Sequence, residues 1–220
     1  MAIKSDIYPS SAEMIPKVKA FVEEWMSKYD ASHDFGHIQR VVRLALYIAR
    51  MENRKHTTRQ LDLNLIHLAA LLHDINDRKY RTDFNQPLAT HLCRMGSADS
   101  ALNNAIADVV THVSLHKERQ NPSAVVAALQ RHPELAVVQD ADRIDAIGAI
   151  GIGRLFVYGA GQKETLDMSI AHLDKRLKFT GRRMKTETGR AIIEKRIRRV
   201  RTFRKWWREE TQPILASNIV

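Results

Sequence analysis

Apolar residues in this chain return at steps of three and four along one segment after another. Val18, Phe21, Val22 and Trp25 follow that rule, as do Ile38, Val41, Val42, Leu44, Ala45 and Ile48. Such spacing lines one face of an α-helix, whereas a half-buried strand alternates residue by residue. No strand-period run exceeds about four residues, and there is no internal repeat or low-complexity linker. Glycine (9) and proline (6) are too scarce for the many turns of a β-sandwich. The expected fold class is therefore all-α. With 220 residues, a single domain spanning 1–220 is expected, its core over about 17–212.

Individual helices can be placed. The first covers Ile15 to Met26. Ser32 is a suitable N-cap for a second running to about Met51. Thr57 or Thr58 would cap a third, in which Leu61, Leu65, Leu68, Ala69 and Leu72 leave almost no polar face, so it belongs at the centre. Pro87 suits the start of a short fourth. Ser97 is expected to cap a fifth with Ile106, Val109 and Val113 inward. Asn121-Pro122-Ser123 is a break, and Pro133 opens another helix. Gly148, Gly151 and Gly153 would let helices cross closely. No apolar run approaches the ~18 residues that cross a bilayer, and Met1 to Lys17, carrying Asp6 and Glu13, does not read as a signal peptide. Cys93 is the lone cysteine, which excludes an internal disulfide and any cysteine cluster for metal; a cytoplasmic location is expected.

The net charge of +10 is concentrated in one place. His172 to Arg208 holds 15 Lys and Arg against 3 acidic residues, over a remainder that is nearly neutral. Within it, Ile192, Ile193, Ile197, Val200, Phe203 and Trp207 form one apolar stripe. The segment about 172–210 thus contains an amphipathic helix with a basic outer face. Three uses compete: a solvated helix face, a grip for phosphate-rich ligands or nucleic acid, and a membrane-surface helix.

Charged groups that interrupt apolar stripes mark the chemistry. His37 shares a face with Val41, Leu44 and Ile48. His73 continues Ile66 and Ala69, and Asp74 follows it at the end of the most apolar helix. An aspartate there is costly to bury unless it is paired or binds metal. Asp142 follows the apolar Val137-Val138. Two imidazoles and two carboxylates on inward helical faces suit a divalent first-row metal. Taken singly, each residue also fits a plainer role: a hydrogen-bonded core histidine, or an Asp142 that caps a helix or pairs with Arg143.

The order His37, His73-Asp74, Asp142 resembles the H…HD…D pattern of the HD-domain metal-dependent phosphohydrolases. The surrounding segments extend the likeness to the small single-domain bacterial branch of that superfamily. They are Ser32-His-Asp-Phe-Gly-His-Ile-Gln-Arg-Val41, Ala70-Leu-Leu-His-Asp-Ile-Asn-Asp-Arg-Lys79 and Val138-Gln-Asp-Ala-Asp-Arg-Ile-Asp-Ala-Ile-Gly-Ala-Ile-Gly151. A fourth segment, Ile170-Ala-His-Leu-Asp-Lys-Arg-Leu177, is similar to a His-x-x-x-Lys-Leu pattern, but with Arg176 where the lysine would stand and Lys175 one place early.

The resemblance implies that His37, His73, Asp74 and Asp142 ligate one divalent metal, Mn²⁺ or Mg²⁺ first, with Fe²⁺, Co²⁺, Ni²⁺ and Zn²⁺ open. Asp77, three residues after Asp74, is the candidate acid or base, provided the helix continues; a surface pair with Arg78 or Arg81 is its alternative. Arg40, Lys79 and Lys175 (or Arg176) are candidates for binding phosphate. For Arg40 a structural pair with Asp140 or Asp145 fits equally. His33 and Asp34 are candidates for supporting His37 from behind. His112 and His116 are correctly spaced for a second ion but lack an accompanying carboxylate. The implied activity is hydrolysis of a phosphorylated small molecule, with a nucleotide expected and pyrophosphate release from a nucleoside triphosphate one form of it. The alternative is a nucleic-acid- or nucleotide-binding module that uses the basic helix.

Overall fold

The computed structural model describes residues 11–28, 34–56, 58–75, 87–97, 99–180 and 183–211. Among them there is no strand, and the fold class is all-α. Eleven helices follow one another among the described residues. They are α1 (Ser11–Met26), α2 (Phe35–Lys55), α3 (Leu63–Leu72), α4 (Leu88–Arg94), α5 (Ser100–Val113), α6 (Leu115–Gln120), α7 (Pro122–Arg131), α8 (Glu134–Asp145), α9 (Ala149–Gly161), α10 (Leu166–Thr180) and α11 (Glu187–Thr211). No single helix among the described residues is long and apolar enough to cross a membrane.

The apolar α3 occupies the centre, as its composition demands. It packs against α1, α2, α5 and α8, and Leu65, Ile66 and Leu68 through Leu72 are all buried. On α2 the buried residues Ile38, Val41, Val42, Ala45, Ile48 and Ala49 recur at the expected spacing. Helix α11 packs its apolar stripe on α2, α8 and α9: Ile193 and Val200 are buried, and Trp207 stacks on Phe156 at 5.8 Å between ring centres.

Several caps differ from those expected, and the reason is the same each time. The side chain of Asp62, not Thr58, accepts the amide protons of Asn64 and Leu65 at the start of α3; Leu61 therefore precedes the helix, and Thr57 lies outside the described residues. Asp99, not Ser97, caps α5, while the Ser97 hydroxyl donates to Asn103 at 2.6 Å. Asp34 caps α2, and Ser32 lies outside the described residues. Where several capping residue types stand close together, propensity alone does not choose; the helix begins where the apolar face meets the core. The expected break at Asn121 separates α6 from α7, and its side chain caps α7.

The glycines divide. Gly148 has φ 94° and forms the elbow between α8 and α9. A Cβ on Gly151 would sit 2.2 Å from the carbonyl oxygen of Ala146, so close approach requires this glycine. Gly153 faces open space and has no part in a helix crossing.

Candidate functional site

Packing of α2, α3 and α8 against one another brings three distant chain segments together. His37 comes from the first turn of α2, His73 and Asp74 from the turn that ends α3, and Asp142 from the last turn of α8. The two imidazoles face each other edge-on with their Nε2 atoms 3.3 Å apart. Asp74 lies 3.5 Å from each Nε2. Oδ1 of Asp142 lies 3.6 Å from the Nε2 of His37 and 3.8 Å from that of His73. Ligating atoms of His37, His73 and Asp74 all fall within 4.8 Å of one another.

The donor set fits a cation. Nδ1 of His73 lies 2.8 Å from the carbonyl oxygen of Ala70, and Nδ1 of His37 lies 2.8 Å from Oδ2 of Asp145. A carbonyl only accepts, so a neutral His73 carries its proton on Nδ1, whereas Nδ1 of His37 lies between the Asp145 acceptor and a donor, Arg154 Nη1, 2.9 Å away. The two Nε2 atoms face one another beside two carboxylates, a concentration of ligand atoms and negative charge. Positive charge relieves it. His73 shows the same demand: burial by itself would lower its pKa, but the carboxylates of Asp74 and Asp142 outweigh burial and raise it.

Behind His37 stands Asp145, 2% exposed at its side chain. Besides His37 it accepts from Arg40 Nε at 2.9 Å and Nη2 at 3.2 Å, and from Arg154 Nη1 at 3.0 Å. Burial would raise the Asp145 pKa, but the hydrogen bonds from His37 and Arg40 and the charge of Arg154 hold it well below the usual carboxylate range. Arg40 therefore turns its guanidinium to Asp145. It is not among the residues that line the cavity beside the quartet. Of the two uses its position allowed, the ion pair is the one formed. Asp34 accepts the backbone N–H of His37 at 2.9 Å and so holds the first turn of α2 rather than the imidazole.

A cavity of about 510 Å³ opens in front of the quartet. His37, His73, Asp74 and Asp142 form its floor; Arg154 and Tyr158 of α9, and His172 and Arg176 of α10, line it as well. Arg176 is half-buried. Burial first, and then the like charge of Arg154, lower its pKa, with Tyr158 and Asp142 opposing. Lys175, one residue away, is exposed and does not line the cavity. One step along a helix turns a side chain by about 100°, enough to move a candidate from pocket to solvent. His116 lines the cavity, whereas His112 places its Nδ1 on the backbone oxygen of Asp108 at 2.8 Å, so the two do not converge on one point; contrary to expectation a carboxylate does accompany His112, Asp108 Oδ1 at 3.1 Å, one helical turn before it.

Helix α3 ends at Leu72, and residues 73–75 form a turn. The helical continuation on which the placement of Asp77 depended is thus not formed over the described residues. Asp77, Lys79 and His33 lie outside them. Arg154 escaped the sequence reading, although a signal existed: it is the single charge within Ala149–Gly161. That is the same interruption of an apolar stretch that marked His73-Asp74.

Comparison with known proteins places the chain in a family. The HD domain family model matches residues 34–147, from the cap of α2 to just beyond α8. Over 189 residues the chain is 28% identical to the uncharacterized protein YpgQ of Bacillus subtilis, covering 82% of this chain and 85% of that protein. The crystal structure of YpgQ in complex with ADP superposes with a TM-score of 0.72 at 26% identity, over 93% of this chain and 98% of that one. An HD-superfamily hydrolase from Bacillus thuringiensis gives a TM-score of 0.58 at 27% identity, over 92% of this chain and 100% of that one. The matched span holds the whole His–His–Asp–Asp cluster, and the chain belongs to the HD domain family of metal-dependent phosphohydrolases.

Proposed function

We propose that this phosphohydrolase acts on a nucleotide, bound with its phosphates between the His37–His73–Asp74–Asp142 quartet and the guanidinium groups of Arg154 and Arg176. The carrying observation is that pair of arginines. Two like charges sharing one partly buried cavity repel each other, and an anion between them removes the repulsion. Guanidinium forks match phosphate oxygens better than an ammonium does. A cavity of about 510 Å³ is within the range that holds a ligand of nucleotide size. The ADP complex of YpgQ, a structural relative, supports the same class of ligand.

The four quartet residues would hold one divalent cation, Mn²⁺ or Mg²⁺ first, which supplies an acidified water and polarises a phosphoryl oxygen. The chain's own residues do the rest. Asp145 and Arg154 hold the imidazole of His37 by its Nδ1 edge, so that Nε2 would be the ligating atom. Arg154 and Arg176 bind and orient the phosphates, concentrating negative charge beside the quartet. Release of pyrophosphate from a nucleoside triphosphate is the proposed form of the reaction.

A panel of nucleoside mono-, di- and triphosphates, incubated with Mn²⁺ and with Mg²⁺ and resolved by product, tests the proposal. Turnover of at least one nucleotide, abolished by Asp74→Ala, is expected. No turnover across the panel, with metal shown to be bound, would overturn the nucleotide assignment. Orthophosphate in place of pyrophosphate would overturn the proposed bond.

A further inference from the structure

The basic residues of α11 fall into two groups. One group is occupied. Arg196 Nη1 donates to the backbone oxygens of Ile144 and Ile147 at 2.7 and 3.3 Å, closing the end of α8. Arg204 holds Asp174 through two bonds of 2.8 and 2.6 Å. Arg190 donates to the backbone oxygens of Met184 and Lys185, both at 3.2 Å.

The second group is exposed: Lys195, Arg198, Arg199, Arg201, Lys205 and Arg208. Lys195, Arg198, Arg199, Thr202, Lys205 and Trp206 recur at steps of three and four, so they share one stripe, with Arg201 and Arg208 at its edge. Glu194, Glu209 and Glu210 are the acids on this side, and Glu209 pairs with Lys205 at 3.6 Å. Trp206 is 56% exposed among these charges, while Trp207 is turned inward onto Phe156. No residue of α11 lines the cavity, so this surface is separate from the quartet.

We infer that the outer face of α11 docks a single-stranded nucleic acid, its phosphates along the Lys195–Arg208 stripe and an unpaired base on Trp206. Charge complementarity and length both favour this occupant. From Lys195 to Arg208 the helix rises about 20 Å at 1.5 Å per residue, room for roughly four phosphates of an extended strand and far more than one nucleotide needs. A duplex hides its base faces from Trp206. Helix α11 has little apolar surface to insert into a bilayer, since Ile193, Val200 and Phe203 are packed inward.

The test is fluorescence anisotropy of a fluorescein-labelled 20-nucleotide single strand, DNA and RNA, with the full chain in EDTA so that hydrolysis is off. Binding is expected at low salt, with log K falling against log[salt] at a slope of about −3, as four phosphate contacts require. The combined reversal Lys195→Glu, Arg198→Glu, Lys205→Glu should weaken binding at least tenfold, with the thermal melt and any nucleotide turnover retained. Trp206→Ala should weaken it about tenfold, as the loss of one stacked base implies. No binding at low salt would overturn the inference. So would binding that the reversal leaves unchanged, equal affinity for duplex, or binding to anionic vesicles without binding to the strand. Trp206→Ala, at an exposed position, decides the matter even if the triple reversal fails to fold: unchanged affinity in that variant would also overturn the inference.

Discussion

Nδ1 of His37 on α2 and Oδ2 of Asp145 on α8 lie 2.8 Å apart, although 108 positions separate them in the chain. That contact, with Arg154 Nη1 2.9 Å from the same nitrogen, turns Nε2 of His37 toward His73 and the two carboxylates. Asp145→Asn removes the charge with little change in shape. Metal affinity is expected to fall about 10- to 100-fold, the usual cost of losing a carboxylate behind a ligating imidazole. Titration calorimetry with Mn²⁺ reads this without any substrate. An unchanged affinity would show that the bond serves folding alone.

Arg176 and Arg154 give the cavity its positive wall. Losing one charge-assisted contact to a phosphate costs about 1.5–3 kcal/mol. Arg176→Ala should therefore raise KM for the nucleotide about 10- to 100-fold, and Arg176→Lys should recover part of it. Lys175→Ala, at an exposed position, should leave KM where it was. Equal effects of the two alanine variants would argue against the assignment.

Glu52 ties α2 to the first turn of α11. Its Oε1 accepts from the backbone N–H of Thr188 at 2.9 Å and from the Thr188 hydroxyl, and Lys55 lies 3.4 Å away. Burial would raise the Glu52 pKa, but these bonds and Lys55 outweigh it and hold it below its ordinary 4.5. A carboxyl whose folded pKa is depressed adds stability that is complete above the unfolded value and disappears as pH falls through the folded one. Glu52→Gln should then cost about 1 kcal/mol at pH 7. The gap in thermal midpoint between the two proteins should close as pH drops below about 4.5. A gap that stays constant down to pH 3 would contradict the linkage.

At the elbow between α8 and α9, Gly151→Ala would force a Cβ against the Ala146 carbonyl. A loss of about 1–3 kcal/mol is expected, as for other overpacked sites. Gly153→Ala, two residues on, meets nothing within 4 Å and should be neutral or slightly stabilising through helix propensity. Chemical denaturation of the two variants side by side separates close packing from backbone flexibility as the reason for glycine here.

Metal analysis of the quartet completes the set. His73→Ala or Asp142→Ala should each abolish stoichiometric Mn²⁺ binding while the α3 core stays folded by circular dichroism. Retained binding in both would remove the quartet as the metal site.

By itself, the sequence determined the helical class, the central place of α3 and the inward face of α11, because all three follow from the period at which apolar residues recur. It also marked His37, His73, Asp74 and Asp142, since charge inside an apolar stripe must be compensated wherever the chain goes. Tertiary structure alone decided the partners. Arg40 stands one turn after His37, and only the packing of α2 on α8 sends it to Asp145. Lys175 and Arg176 are neighbours with similar charge, and only the rotation of α10 places Arg176 in the cavity. Arg154 joins the site across an elbow whose closeness depends on Gly151. Helical period is a local property written in adjacent residues, whereas a salt bridge or a cavity wall is made by side chains from separate helices, whose meeting depends on how the whole core packs.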